Sequence, residues 1–163
     1  MSTNNNNPAK LREMLKDPIH CFSFGFASGL LPFASGTWGT IMSLPFFSIM
    51  HCFNNETYLL ILLALILFSI YACDYTSAAL GEHDHKAIVC DEIVGYLLVL
   101  FFIPVTPLWF SFSFVVFRFF DIFKPWPIAW LDKNIKHGFG IVIDDIAAAI
   151  FTLIAILPLL IFS

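Results

Sequence analysis

The residues of this 163-residue chain able to do ionic chemistry fall into three short groups. The first is His83-Asp84-His85 followed by Asp91-Glu92, the second is Arg118, Asp121 and Lys124, and the third is Asp144-Asp145. Adjacent carboxylates repel one another unless a cation compensates them. At the mouth of an apolar bundle they are costly unless they face water, a partner or a metal. Three such groups predict a divalent cation held by oxygen ligands, and Mg²⁺ is the hard ion that shares carboxylates with phosphate oxygens. Asp84 and Asp91 are seven residues apart, as are His85 and Glu92, so on one helix each pair faces roughly the same way. His83 and His85, two residues apart, diverge and make a poor zinc pair. Charges at helix ends also mark where lipid gives way to water, and Arg118 and Lys124 equally suit that anchoring role.

A fourth element, Gly36-Thr37-Trp38-Gly39-Thr40, reads as a small-residue turn entering a helix. Its free backbone N–H groups and Thr hydroxyls can cradle a phosphate, although its glycines equally suit a tight turn. No Gly-Lys-Ser/Thr follows, so it is not a Walker loop. Cys90 does not open a Cys-x5-Arg phosphatase loop, because Tyr96 occupies the arginine position. The Asp-x-Asp, Pro-Ser-Gly-His and Asp-Gly-x2-Ala-Arg signatures of other phosphate-handling enzymes are also absent from the sequence.

The elements that must position these groups are overwhelmingly apolar. Hydrophobic residues make up 59 % of the chain, aromatic residues 17 % and charged residues 12 %, with a mean hydropathy of +0.84. Soluble domains carry about 25 % charged residues. A domain of this size still exposes about a third of its surface, which leaves no room to hide 20 Phe residues. Lipid is the expected solvent. The net charge of −4 argues against a nucleic-acid partner, which needs a basic face.

Apolar stretches occupy residues 19–33, 38–53, 58–73, 88–103, 107–120 and 146–162. They lack strand alternation, and their Leu, Ile and Phe runs favour helices. The expected fold is an all-α, polytopic integral membrane helix bundle with about five transmembrane helices plus a re-entrant or interfacial N-terminal segment over residues 19–33. Residues 1–18 form a polar cytoplasmic tail with a short surface helix over 9–16, and residues 19–163 form a single membrane-embedded domain. This topology places every Lys and Arg on the cytoplasmic side, satisfying the positive-inside rule, and only Glu56 among the charged residues falls on the far side. Cys21, Cys52, Cys73 and Cys90 have no CxxC spacing and read as small hydrophobes in helices. His20, His51 and His137 read as interfacial. A small cation or proton-coupled transporter is the rival class, since intramembrane acids also mark ion paths. It predicts acids at mid-span, whereas the pattern here puts them at helix ends.

The string His83-Asp84-His85-x2-Ile88-Val89-x-Asp91-Glu92-x2-Gly95 resembles the central motif of the bacterial phosphatidylglycerophosphatase A family. The resemblance extends to Phe117-Arg118-x-Phe120-Asp121-x2-Lys124-Pro125-Trp126-Pro127-Ile128, then to Gly138-x-Gly140 and Asp144-Asp145. The early Ser28-Gly29 and Gly36-Thr37-x-Gly39 elements fit as well, so it covers about residues 18–155. Ser35 stands where the family commonly has Pro, Thr40 where it usually has Ser, and His137 and Ala149 where glycines are frequent. None of these departures removes a carboxylate.

Membership of that family implies a Mg²⁺-dependent enzyme of the bacterial inner membrane. It would hydrolyse phosphatidylglycerophosphate to phosphatidylglycerol and inorganic phosphate on the cytoplasmic side, in phospholipid biosynthesis. On this reading Asp91, Glu92, Asp121, Asp144 and Asp145 hold Mg²⁺, and Asp84 is a further ligand or the base that orients water. Thr37, Arg118 and Lys124 bind the substrate phosphate, and His83 or His85 gives a proton to the leaving group. The sequence leaves the oligomeric state open.

Overall fold

A computed structural model of the protein describes residues 7–161, without the side chains of residues 132 and 133. The first six residues of the expected tail and the last two of the chain lie outside it. Helix accounts for 77 % of the described residues, with no strand among them. In chain order the helices are α1 Pro8–Met14, α2 Pro18–Ser23, α3 Ser35–Met50, α4 Asn55–Leu80, α5 Cys90–Phe102, α6 Pro107–Phe123, α7 Ile128–Asn134 and α8 His137–Ile161, with a single 3₁₀ turn at Ser28–Leu30.

Local chemistry sets the ends of these helices. Asn54 caps α4 by accepting from the Thr57 N–H at 2.8 Å, and Gly81 closes it in the left-handed region, its N–H donating to the Ser77 carbonyl. Both are ordinary terminators. Thr106 and Pro107 start α6, and Lys124, itself left-handed, stops it before Pro125. Successive long helices therefore run antiparallel. The C-terminal ends of α4 and α6 meet the N-terminal ends of α3, α5 and α8 at one end of the bundle.

Helix α5 is the axis. It packs against α3, α4, α6 and α8, and Ile93, Val94, Leu97, Val99 and Leu100 are fully enclosed. The surrounding helices turn Ile49, Leu60, Leu67, Val115 and Ile154 outward, each at least 60 % exposed. A continuous apolar exterior of this kind suits lipid rather than water. Helices α4 (26 residues) and α8 (25 residues) are long and apolar enough to cross a membrane. By contrast α3, α5 and α6 have 16, 13 and 17 residues.

Several sequence expectations need adjusting. Helix α4 continues seven residues past the expected 58–73, because Thr76 and Ser77 are accommodated against neighbouring protein rather than lipid. Helix α8 starts nine residues before the expected 146–162 and so contains Asp144 and Asp145. Residues 19–33 form the six-residue α2 and a compact turn, too short to cross. This segment is pinned to α4: Ser23 Oγ donates to the Ala72 carbonyl at 2.9 Å, and His20 Nδ1 lies 2.9 Å from Thr76 Oγ1. His20 is thus buried rather than interfacial. Cys73 and Cys90 are buried with their sulfurs 3.3 Å apart as free thiols, and Cys52 is exposed.

Candidate active site

Asp91 and Glu92 occupy the first turn of α5, where unpaired backbone N–H groups favour carboxylates. Gly95, one turn further on, brings α8 against α5: a Cβ there would lie 3.1 Å from Asp145 Cβ and 3.2 Å from the Asp145 carbonyl oxygen. The close approach sets Asp145 beside the α5 pair. Asp91, Glu92 and Asp145 each offer an oxygen, and these oxygens lie within 4.8 Å of one another. A single hard cation binding carboxylates at about 2.0–2.6 Å draws its ligands into a set of roughly that spread.

The decisive feature is what the carboxylates of these three residues lack. Asp91 Oδ1, Glu92 Oε2 and Asp145 Oδ1 are buried without a hydrogen-bond partner. Buried polar atoms are nearly always paired, because an orphan bears the full desolvation penalty. Three orphaned carboxylate oxygens in one cluster fit a bound cation, and these residues are the ones able to hold it.

A ring of opposite charges surrounds the cluster. Arg118 hydrogen-bonds Asp121 and lies 3.8 Å from Glu92 Oε1. Its Nη1 also reaches Thr40 Oγ1 at 3.5 Å, and its Nε has no partner. Lys124 hydrogen-bonds Asp144. Gly36, in the first turn of α3, is needed for this packing. A Cβ there would fall 2.3 Å from Glu92 Oε1 and 2.9 Å from both terminal nitrogens of Arg118. Ala34, Ser35, Gly36, Asp84, Lys86, Glu92, Arg118, Asp121 and Lys124 line a cleft of about 400 Å³.

The structure thus sorts the expected residues. Asp91, Glu92 and Asp145 form the core. Asp121 and Asp144, expected as further metal ligands, are engaged by Arg118 and Lys124. As consecutive residues two turns inside α8, Asp144 and Asp145 point in different directions, so only the second faces α5. The alignment that a helix would give Asp84 with Asp91 and His85 with Glu92 does not form, because residues 81–89 form a loop ahead of α5. Asp84 nevertheless reaches the cleft, with a left-handed φ of 53° that Asp tolerates better than most residues.

His83 is exposed in the same loop. His85 turns away from the acids into a second cavity of about 370 Å³. There its side chain is 1 % exposed, Nδ1 accepts from the Ala87 N–H at 3.1 Å, and Nε2 lies 3.9 Å from Glu82. Burial holds its pKa below the ordinary value of 6.5 and keeps the ring neutral. Thr37 is half-buried, with its N–H used by the Ala34 carbonyl, and is not among the residues lining the cleft. Thr40, one turn on, is the threonine that meets Arg118. Sequence reasoning missed Lys86 and, within residues 36–40, preferred Thr37 to Thr40. Its signal for Thr40 was the four-residue spacing from Gly36, which places both on one helix face.

The phosphatidylglycerophosphatase A family model matches residues 21–160. The chain is 43 % identical over 153 residues to phosphatidylglycerophosphatase A of Haemophilus influenzae, covering 93 % of each chain. It is 39 % identical over 145 residues to that of Escherichia coli K12, covering 88 % of this chain and 84 % of the relative. A Bacteroides thetaiotaomicron protein with the provisional name phosphatidylinositol-3-phosphatase is 33 % identical over 140 residues, covering 81 % of this chain and 87 % of that one. No solved structure matches the chain significantly. The carboxylate cluster with its cationic ring therefore belongs to a phosphatase, and the chain is a member of the phosphatidylglycerophosphatase A family.

Proposed function

We propose that the protein hydrolyses the terminal phosphomonoester of phosphatidylglycerophosphate, yielding phosphatidylglycerol and inorganic phosphate, with Mg²⁺ held by Asp91, Glu92 and Asp145. The observation that carries this reading is that Asp91, Glu92 and Asp145, whose carboxylates cluster beside Arg118, each have a buried oxygen without a hydrogen-bond partner. Asp145 lies two turns inside α8, so position alone does not separate the site from an ion path; the family does.

Water adds to phosphorus as the bond from phosphorus to the glycerol oxygen breaks; phosphate leaves, and the glycerol oxygen takes a proton. A bound cation supplies charge neutralisation at the phosphate oxygens. Arg118, through its unpaired Nε–H, and Lys124 supply fixed positive charge at the cleft, so transition-state charge is met without rearrangement. Ser35 and Gly36, in the first turn of α3, line the same cleft and add backbone N–H donors there. Asp84, at the mouth, orients the attacking water and accepts its proton. His85 faces the other cavity and braces the loop.

The proposed setting is the bacterial inner membrane, with five crossings by α3, α4, α5, α6 and α8 and the site at the cytoplasmic end. Helix α5 can be short because neighbouring helices surround most of its length. The outer apolar faces and the collection of basic residues at the site end support this placement.

Purified protein should release phosphate from phosphatidylglycerophosphate, stop in EDTA and recover with added Mg²⁺. Retained turnover in EDTA would refute the metal assignment, and no phosphate release under any condition would refute the substrate. Single-cysteine labelling tests the topology. A Lys136→Cys label should react from the cytoplasm and Cys52 from the opposite side; the reverse pattern would invert the orientation.

A further inference from the structure

The second cavity adjoins the catalytic cleft, and the two share Ala34, Ser35 and Lys86 as a common wall. That wall is fixed by backbone contacts. Ser35 Oγ donates to the Lys86 carbonyl at 2.6 Å. Gly29 packs so closely on the loop that a Cβ would fall 2.1 Å from the Ala87 carbonyl oxygen. The loop therefore holds the exposed Lys86 side chain at the junction of the two spaces.

The cavity differs from the cleft in charge. Its charged lining residues are Arg12 and Lys86, both cations, and among the described residues no carboxylate lines it. The remaining lining is largely apolar, and Leu31, beside Phe33, carries it outward: these side chains are 42 % and 82 % exposed. An anionic group attached to acyl chains matches this combination of cationic floor and apolar exit.

The geometry points to a lipid-headgroup subsite: Lys86 and Arg12 hold the phosphodiester of the substrate while its phosphomonoester lies in the acid-lined cleft. The inference rests on the proposed substrate, in which a three-carbon glycerol joins the two phosphates. Lys86, reaching both spaces, spans that join. Leu31 and Phe33 lead the acyl chains back to the bilayer. The chemistry recognised is thus a diester phosphate one glycerol away from the scissile group, which makes Lys86 and Arg12 specificity determinants rather than catalytic residues.

Phosphatidylglycerol tests this directly, because it keeps the diester and lacks the monoester. It should inhibit wild-type turnover of phosphatidylglycerophosphate competitively. Its inhibition constant should rise about tenfold in Lys86→Ala and again in the double variant with Arg12→Ala, as expected for losing a charge-assisted contact. KM should rise in parallel with little change in kcat, and Lys86→Arg should restore both. An unchanged inhibition constant, or a fall in kcat without a rise in KM, would overturn the subsite. If wild-type protein released no phosphate from phosphatidylglycerophosphate, the substrate reading would fail first, and the two failures are distinguishable.

Discussion

At the far end of α5, Leu97, Val99 and Leu100 are sealed by Phe47, Tyr58 and Ile156, and the Tyr58 hydroxyl among them donates to the Leu97 carbonyl at 2.9 Å. At the near end, Asp91 and Glu92 meet Asp145 and leave three buried oxygens with no partner. The same short helix passes from a region where the Tyr58 hydroxyl is paired to one where three carboxylate oxygens are not. The far end follows the packing rules that stabilise a bundle. The near end departs from them in a way that suits a bound cation and an anionic substrate, so the fold's stability and the enzyme's chemistry are separable along one helix.

The comparison breaks most sharply at Asp145. Asp145→Asn keeps the side chain's shape and removes one charge from the cluster. Turnover at saturating Mg²⁺ should fall by about a thousandfold or more, while thermal stability in EDTA should hold or rise, since like charges no longer oppose one another. Phosphate release and melting in EDTA check the two halves, and a large stability loss would mean that the acid is structural. Gly36→Ala sharpens the same point from the opposing helix. Its new methyl must displace Glu92 or Arg118, and activity should drop about ten- to a hundredfold, as for small misplacements of catalytic groups, in a folded protein. Leu100→Ala should do the converse. Truncating a fully buried leucine costs about 2–5 kcal/mol, visible as a lower melting temperature, while turnover per folded molecule stays near wild type.

How much of this was legible in the sequence follows the same division. Five of the six apolar stretches located the five longest helices to within a few residues at most ends, because capping and breaking residues such as Asn54 and Pro107 act locally. Where boundaries moved, at the end of α4 and the start of α8, polar residues sit inside helices because neighbouring helices receive them, which a hydropathy window cannot see. The acids were identifiable by type and pairing, but their division into a cluster and a ring was not. Asp144 and Asp145 are equivalent by composition; a rotation of about 100° per residue on α8 sends one to Lys124 and the other to α5. The His-Asp-His string carried the least structural information, since its seven-residue spacing to Asp91 and Glu92 aligns side chains only on a helix, and the chain forms a loop there.

That loop supplies the smallest expected effect and separates bracing from catalysis. His85 is buried, and burial is the main cause holding its pKa below 6.5; Lys86 and Lys10 push it the same way, against Glu82 and Asp84. The unfolded chain takes up the proton at about 6.5, whereas the folded loop resists it. The stability contributed by the neutral ring is therefore fully present above pH 6.5 and is lost as pH falls from there toward the folded value, below which nothing further is lost. His20 is displaced in the same direction by its own burial, so wild-type melting alone does not isolate the loop. His85→Asn does, because its amide oxygen can take over acceptance from the Ala87 N–H without titrating. Melting temperature should then fall less between pH 7 and pH 5 in the variant than in the wild type. Its kcat at pH 7.5 should stay within about threefold of wild type, where a proton donor to the leaving group would cost at least a hundredfold. A kcat loss of that size, with the melting profile unchanged, would move His85 from the wall of the second cavity into the reaction itself.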